Sequence, residues 1–493
     1  MYIRTQTNGI ENVDRRGFFF RRKTVRSSIR GSFQRVGRAH VESSLLRQRY
    51  LFQCRKRECT CVFVCGYGPL SLVSLSLSLR FVSHKNEPTT GGEGPPLDAS
   101  VVRSSPHCNV AVEFLSETQA LMVALEHRYY GCHNASACPY EEGHLDLTYL
   151  SSRQAVEDVA IFHEHITKTY LKGQSRKWIS FGGSYPGMLA SFVRIKHPEL
   201  IHASIASSAP VLAKVDMVEY NDIAAEAYAL KSVGGSAECR EMIAKGHAQI
   251  GELLKTKQGR EQIEKTFDLD DESLETHEDQ LNFAGYGVAY FPTQGNDPAC
   301  DTPACNIERI CEIMTDSKSS DDAMTRLAKV RSTQGGGLLD DDKVQDDSDL
   351  YWPYQTCTEF GFYQTCEVGS KCFFVQGLDL LQDQIEFCRT NWNIDLDKIT
   401  ENVKRSNQHY GGLDPNATRI FYPNGNVDPW HGLSILKAPS ESLPVLMVEG
   451  ASHHAWTHPT LPTDQKTVIE ARKLIETLTN NFKLSDADIR QFR

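Results

Sequence analysis

The segment at residues 178–187 (WISFGGSYPG) constrains the fold of this chain more than any other feature. An apolar run of strand length leads into Gly182, Gly183 and Ser184, and a helix-forming stretch follows. Glycines beside such a serine let the strand and the helix approach closely and let the serine adopt a strained turn. The pattern is typical of the nucleophile elbow of α/β hydrolases. The alternative interpretation is an ordinary glycine-rich turn between a strand and a helix.

The elbow departs from the usual motif at one position. The G-x-S-x-G pattern places a glycine two residues after the serine, whereas this chain has Pro186 there and Gly187 next. Proline in the first turn of a helix loses no hydrogen bond, so we expect the turn to keep its geometry. Taken alone, the motif does not decide between the two interpretations.

The order of residues along the chain favours the elbow. Elbow hydrolases present a serine, then an acid, then a histidine, the last two in loops after late strands. Asp428 follows a strand-like run at 419–422, and His453 follows another at 445–448. Serine is a weak nucleophile unless a histidine accepts its proton, and a carboxylate orients that histidine. We therefore predict a catalytic triad of Ser184, Asp428 and His453.

Simpler explanations exist for the acid and the histidine. Asp428 precedes Pro429 and could only form a turn, and His453 with His454 could be a surface pair or metal ligands. No nearby Cys, Asp or Glu completes a zinc site, so we predict no metal and no cofactor. An oxyanion needs two donors, and the N–H of Tyr185 is the natural first one. The flexible loop at 91–95, through Gly92, is the candidate for the second.

Hydrophobic patterning predicts a core that is discontinuous in sequence. Strand-like runs alternate with helical patterns from residue 120 to 209, and the same character returns after residue 403. This rhythm indicates a parallel α/β sheet. Between them, residues 215–403 show amphipathic helices and eight cysteines, at 239, 300, 305, 311, 357, 366, 372 and 388. We predict an α/β-hydrolase core (91–214 and 404–493) with a large helical, disulfide-containing insertion, or cap, domain (215–403).

Residues 1–90 do not fit this architecture. They are rich in arginine up to residue 57, carry cysteines at 54, 59, 61 and 65, and show a Ser-Leu alternation with no sustained core pattern. The cysteine spacing does not match the paired C-x2-C layout of a zinc site. A wrong start and a retained intron in the gene model are the interpretation we favour. In that case the folded protein lacks a core strand between residues 51 and 88.

Charge and cysteine content limit the partners and the compartment. The net charge of −10 argues against a nucleic-acid partner, because phosphate binding needs a clustered cationic face. The apolar run at 69–79 is too short to cross a membrane, so we predict no membrane span. Fifteen cysteines and two N-x-S/T sequons, at Asn134 and Asn416, indicate a secreted or lysosomal/endosomal glycoprotein. Residues 1–30 nevertheless show no signal-peptide pattern.

Five longer motifs resemble one family of enzymes. They are EHRYYG at 126–131, YLSSRQA at 149–155, GGSYPG at 182–187, YQTCTEFG at 354–361 and the NG and DPW groups within 424–430. Together they are similar to the serine peptidases that include lysosomal Pro-X carboxypeptidase, dipeptidyl peptidase II and thymus-specific serine protease. The residues of the serine motif and of the QTCTEFG motif are most similar to those of the thymus-specific branch. The resemblance implies a capped α/β-hydrolase fold, a secretory or endolysosomal setting, peptide substrates and cleavage next to proline.

The resemblance also implies a substrate pocket. It places Met188 and Trp430 around the residue before the scissile bond, although both could be simple core residues. After the paired histidines this chain has Ala455 and Trp456 where the family often has Leu-Asp, which alters the pocket or its rim. Carboxypeptidase, dipeptidyl-peptidase and endopeptidase activity all stay open, as does a homodimer. An esterase or lipase with the same triad, or an inactive binding protein, is the alternative function.

Overall fold

The computed structural model describes residues 60–64, 75–76, 110–114, 120–123, 125–130, 146–335, 350–458 and 460–481. Its main sheet contains β1 (Thr60–Val64), β3 (Leu121–Val123), β5 (Lys177–Gly183), β6 (Ala203–Ser207), β9 (Ile420–Gly425) and β10 (Val445–Val448). The spatial order is β10-β9-β6-β5-β1-β3, and the neighbouring strands pair in parallel. The predicted parallel α/β sheet is therefore confirmed.

Helices cover the two faces of this sheet, as parallel sheets require. They are α1 (Val110–Glu113), α2 (Ser152–Thr169), α3 (Tyr185–Lys196) and α13 (Lys466–Asn481). Successive side chains of β5 point to opposite faces. Trp178 joins the hydrophobic cluster of α2 and α3, whereas Ile179 joins the cluster that contains Leu474 of α13. Because both faces of β5 are buried, its sequence is mostly apolar and does not alternate between apolar and polar residues.

Strand β1 lies where the sequence analysis expected no core strand. It pairs with both β5 and β3, and its Cys61 lies opposite Trp178 on one side and Leu121 on the other. The expectation that a core strand is missing between residues 51 and 88 is therefore wrong. Parallel pairing joins segments that are distant in sequence, so the local pattern around residue 60, crowded with cysteine and arginine, did not reveal it.

Between β6 and β9 the chain is mostly helical, as predicted. This helical region (residues 218–410) contains α4 (Val218–Ala227), α5 (Ala237–Leu254), α6 (Lys257–Phe267), α7 (His277–Ala284), α8 (Ile307–Met314), α9 (Ala323–Thr333), α10 (Tyr351–Gln355), α11 (Leu381–Trp392) and α12 (Leu396–Tyr410). A π-helix, Thr356–Phe360, follows α10. Two short strands that the pattern did not reveal, β7 (Lys214–Asp216) and β8 (Gly361–Tyr363), pair beside it. A second such pair joins β2 (Leu75–Ser76) and β4 (Leu125–Glu126).

The helical region packs in two parts. One set of its residues, which includes Ile243, Leu327 and Phe373, forms a hydrophobic cluster apart from the α/β core. A second set, which includes Phe360 and Tyr410, joins the cluster of the α/β core. The ring of Tyr410 stacks on Phe192 of α3 with 3.5 Å between the ring centroids. The end of the helical region is therefore tied directly to the helix that follows the elbow.

All eight cysteines predicted to staple the helical region are paired. The bonds join Cys239 to Cys311, Cys300 to Cys305, Cys357 to Cys388 and Cys366 to Cys372. Each cross-link restricts the unfolded chain and so favours the folded state. Cys357 and Cys388 lie in the cluster of the α/β core, whereas Cys239 and Cys311 lie in that of the helical region.

Asp379 is a buried carboxyl in the helical region that we expect to make stability depend on pH. Its Oδ2 accepts a hydrogen bond from Gln384 Nε2 at 2.8 Å, and burial raises the pKa of its carboxyl from 3.8 to about 7. The folded protein retains a proton here that the unfolded chain releases near pH 4. Stability is therefore lost as the pH rises from about 4 to about 7.

We expect Asp379→Asn, which cannot ionise, to remove this loss. In thermal unfolding experiments, the melting temperature of the variant minus that of the original protein should be larger at pH 8 than at pH 5. Asp397→Asn, at an exposed carboxyl of α12, is the matched control. A difference for Asp379→Asn that is the same at both pH values would contradict this account.

Among the helices that the structure describes, none is long and apolar enough to cross a membrane.

Candidate active site

Ser184 occupies the turn between β5 and α3 in a conformation that few residues adopt. Its φ is 63° and its ψ is −133°, and its backbone N–H donates to Ser207 O of β6 at 3.0 Å. Positive φ is strained for a residue with a side chain and is found at functional sites held in place by their surroundings. The turn therefore presents the serine as a nucleophile elbow does.

The glycines of the elbow are required by close contacts. A Cβ on Gly182 would lie 2.1 Å from Pro186 O, and one on Gly187 would lie 2.7 Å from Ser207 O. Pro186 sits in the first turn of α3, where no backbone donor is needed. The departure from G-x-S-x-G thus leaves the turn intact, and Gly187 serves the packing of α3 against β6.

Asp428 directly follows β9 and is fully buried. Its Oδ1 accepts a hydrogen bond from Trp430 N at 3.0 Å, which caps the short 3₁₀-helix Pro429–Leu433. Asp428 therefore does form a turn, as the alternative interpretation proposed. That role uses only one of its two carboxylate oxygens.

The second oxygen of Asp428 faces a histidine. His453 follows β10 and is buried, and its Nδ1 lies 2.8 Å from Asp428 Oδ2. The backbone N–H of His453 donates to Gln294 O at 3.2 Å. A buried carboxylate beside Nδ1 fixes the orientation of an imidazole and stabilises its protonated form.

The next residue, His454, connects this loop to the elbow. Its ring packs on Gly183, where a Cβ would lie 2.8 Å from His454 Cγ. Its backbone N–H donates to Ser208 Oγ at 2.8 Å, and its Nδ1 lies 2.9 Å from Thr457 Oγ1. Burial, together with the nearby His453, lowers the pKa of the His454 imidazole well below its ordinary value. The residue after the predicted base thus packs on the residue before the predicted nucleophile.

Strand order explains why the three predicted residues lie at the same edge of the sheet. The carboxyl ends of parallel strands lie at one edge of a sheet, and ligands bind there in open α/β sheets. Ser184 follows β5, Asp428 follows β9 and His453 follows β10. These strands are separated in the sheet only by β6.

The predicted pocket residues belong to one hydrophobic cluster. Met188 is fully buried in α3, and Trp430 is 9% exposed. The Trp430 ring lies edge-on to Tyr220 and Phe362, at centroid distances of 5.2 and 5.4 Å, and 6.4 Å from the His453 ring. Trp430 therefore lies beside the Asp428 and His453 pair, whereas Met188 lies within the core packing of α3.

A buried polar network supports the first predicted oxyanion donor, Tyr185. The Tyr185 hydroxyl accepts a hydrogen bond from Gln355 Nε2 at 2.8 Å and lies 3.4 Å from His127 Nε2. His127 Nδ1 lies 2.6 Å from Arg128 O, so the N–H is on Nδ1. Burial lowers the pKa of His127 to about 3, which leaves Nε2 free to accept from the tyrosine.

The same network continues to a carboxylate that the sequence analysis did not single out. Glu359, in the π-helix, accepts hydrogen bonds from Ser152 N at 2.8 Å, Ser152 Oγ at 2.7 Å and Gln355 Nε2 at 2.8 Å. Burial raises the pKa of Glu359, while these hydrogen bonds oppose the rise. Tyr185, Ser152 and Glu359 come from three different sequence motifs, so the network shows what those motifs have in common. Their separation in sequence left no local signal of this contact.

Some predicted site residues lie outside the described residues. These are Gly92, the second oxyanion candidate, and Asn134, one of the two sequons. Asn416, the other sequon, is exposed in the loop between α12 and β9. Within the described part of the chain, no group of three or more His, Cys, Asp or Glu side chains could hold a metal ion.

Comparison with known proteins identifies the family. Residues 88–475 match the family model described as serine carboxypeptidase S28. The chain is 32% identical to the thymus-specific serine protease of Homo sapiens over 415 residues, which covers 78% of this chain and 77% of that protein. It is 24% identical to the lysosomal Pro-X carboxypeptidase of Homo sapiens over 379 residues, or 73% of this chain and 74% of that protein. The chain therefore belongs to the serine carboxypeptidase S28 family, a family of serine peptidases with an α/β-hydrolase-type fold.

Proposed function

We propose that this chain cleaves peptides through an acyl-enzyme formed on Ser184, with His453 as general base and Asp428 as the orienting acid. The observation that carries the proposal is the buried pair in which Asp428 Oδ2 lies 2.8 Å from His453 Nδ1. The elbow that bears Ser184 lies at the same sheet edge, with His454 packed on Gly183. Membership of a serine peptidase family agrees with this chemistry.

The reaction would proceed in two steps that use the same groups. His453 accepts the hydroxyl proton while Ser184 Oγ attacks the carbonyl carbon of the scissile bond. The proton passes to the leaving amine, the C–N bond breaks, and an ester on Ser184 remains. Water then repeats the sequence, releases the carboxylic acid and restores the serine hydroxyl. Asp428 stabilises the imidazolium in both steps.

Two donors would hold the oxyanion. The backbone N–H of Tyr185 is one, because it lies just after the nucleophile at the start of α3. The buried network around the Tyr185 side chain keeps this residue in place. Gly92, in a glycine-rich stretch of the sequence, is the second donor that we propose.

We propose an exopeptidase that prefers proline next to the scissile bond, of the carboxypeptidase or dipeptidyl-peptidase type. Trp430 and Met188 form the pocket in this proposal, since a flat aliphatic ring suits an indole wall. A relative is named lysosomal Pro-X carboxypeptidase, which agrees with such a preference. The helical insertion at 215–403 would act as a cap on the core (91–214 and 404–493) and restrict access to the end of a peptide. Residues 1–90 remain an atypical amino-terminal region in this scheme.

A secreted or lysosomal/endosomal setting fits the same proposal. Four disulfides agree with an oxidising compartment. The loss of stability that we expect from Asp379 above about pH 4 also favours an acidic one. In such a setting Asn134 and Asn416 would carry glycans, and a homodimer is the assembly that we consider.

The test is hydrolysis of a small set of fluorogenic peptides by the full chain. The peptides carry proline or alanine before the scissile bond, and either the amino or the carboxyl end is blocked. We expect faster cleavage after proline, only when one particular end is free, and labelling by a fluorophosphonate probe. Labelling with release of a fatty acid from a simple ester, but no peptide cleavage, would indicate an esterase. No labelling and no cleavage would indicate an inactive binding protein.

A further inference from the structure

We propose that Gln294, in the helical region, determines substrate specificity by fixing the indole of Trp430. Gln294 does not belong to any of the motifs that carry the family resemblance, and it lies in the loop between α7 and α8. It acts as a positioning residue, because its effect on the substrate passes through Trp430. The inference rests on the proposed function, in which Trp430 is a wall of the pocket.

Gln294 is the polar partner of the Trp430 ring. Trp430 Nε1 donates to Gln294 Oε1 at 2.8 Å, and the Tyr220 hydroxyl donates to the same oxygen at 3.1 Å. Tyr220 also lies edge-on to the Trp430 ring. One amide oxygen therefore aligns two aromatic side chains that are already in contact with each other.

The chemistry of the donors fixes which end of the amide faces the ring. An indole N–H can only donate, so the atom opposite Trp430 Nε1 must be the oxygen of Gln294. A carbonyl oxygen has two lone pairs, and here both are used. The amide is thus held in one orientation, and it in turn holds the indole in one orientation.

The backbone of Gln294 makes a separate contact with the catalytic loop. Gln294 O accepts the hydrogen bond from His453 N at 3.2 Å. Val427, next to Asp428, is buried in the hydrophobic cluster of the helical region. The helical region is therefore bound both to the loop of the acid and to the loop of the base, at the point where Gln294 reaches the pocket.

The loop that carries Gln294 is anchored on both sides. Phe291 is buried in the cluster of the helical region, and the buried Asn296 accepts a hydrogen bond from Ile307 N through Oδ1 at 2.9 Å. Gln294 itself is half-buried. A side chain on a loop held in this way can impose an orientation on Trp430 rather than follow it.

Substitution of the side chain separates specificity from catalysis. Gln294→Met has a similar length but offers no acceptor to Trp430 or Tyr220, while its backbone carbonyl still reaches His453. The indole then keeps its aromatic neighbours and loses its polar anchor. KM should therefore rise for substrates whose residue before the scissile bond packs on the indole. It should not rise for substrates that have no side chain at that position.

The experiment compares a proline peptide with its glycine counterpart. For Gln294→Met we expect KM for the proline peptide to rise about tenfold, as the loss of the hydrogen bond that orients the indole predicts. We expect kcat, the KM for the glycine peptide and the rate of fluorophosphonate labelling to change less than about twofold. Gln294→Glu keeps an acceptor oxygen and should restore most of the proline preference. Gln249→Met is the matched control, since Gln249 accepts one hydrogen bond from Met324 N elsewhere in the helical region.

Three results distinguish the possible failures. An original chain that neither labels nor cleaves either peptide would refute the proposed function itself. An active original chain with an unchanged KM for the proline peptide in Gln294→Met, or with equal rises for both peptides, would refute only the role of Gln294. Should Gln294→Met not fold, Gln294→Asn takes its place, because an amide one methylene shorter cannot reach both donors.

Discussion

Replacing Ser184 with alanine should abolish peptide cleavage while leaving the protein folded. The variant removes the hydroxyl of the proposed nucleophile, and loss of a serine nucleophile lowers kcat by roughly 10⁴-fold or more. Alanine is small, so the contacts of the turn with Ser207 and Met188, which use the backbone of residue 184, can persist. The measurement is kcat for the preferred fluorogenic peptide, with circular dichroism and thermal unfolding to verify the fold.

Ser180→Ala is the matched control for this experiment. Ser180 is buried on the same strand, and its hydroxyl donates to Ala190 O at 2.9 Å. Its loss should lower stability by about 1 kcal/mol and leave kcat nearly unchanged. If Ser184→Ala retained more than about one hundredth of the original activity, another residue would have to be the nucleophile.

Replacing Asp428 with asparagine should lower kcat by roughly 10⁴-fold, with a much smaller change in KM. Asparagine has almost the same shape and can still cap the 3₁₀-helix through one oxygen. Its side chain carries no charge to stabilise the imidazolium. Its NH2 group donates to His453 Nδ1 and so favours the wrong tautomer of the histidine. The comparison is the pH profile of kcat for the variant and the original chain.

Asp158→Asn tests whether any loss of a buried carboxylate has the same effect. Asp158 accepts two hydrogen bonds from Arg128, at 2.7 and 2.6 Å, so this variant breaks a bidentate ion pair within the core. We expect lower stability but an activity per folded molecule within about threefold of the original. Similar losses of kcat in both variants would mean that Asp428 acts through stability alone.

The part of the site that local sequence could predict is the part that follows directly from strand ends. An apolar run followed by a turn marks each of Ser184, Asp428 and His453, because residues at the carboxyl ends of parallel strands converge. Met188 and Trp430 had no such signal and came from resemblance alone. Of these two, only Trp430 lies beside the acid and the histidine.

What could not be predicted depends on contacts between distant segments. The pairing of eight cysteines has no local signal, and neither does the position of β1 between β5 and the edge strand β3. Gln294 and Glu359 illustrate the same limit at the site. Gln294 lies outside the motifs and Glu359 inside one, but in both cases the role comes from partners more than a hundred residues away.

The place of the helical region, between β6 and β9, sets the order in which the enzyme is assembled during synthesis. The ribosome produces the elbow with Ser184 early, then the whole helical region, and only afterwards the two strands that bear Asp428 and His453. Domains fold as they emerge, but a sheet cannot accept strands that have not yet been made. The nascent chain therefore carries Ser184 without Asp428 and His453 until both strands have been made. If these residues form the proposed triad, the unfinished chain cannot cleave peptides during that interval.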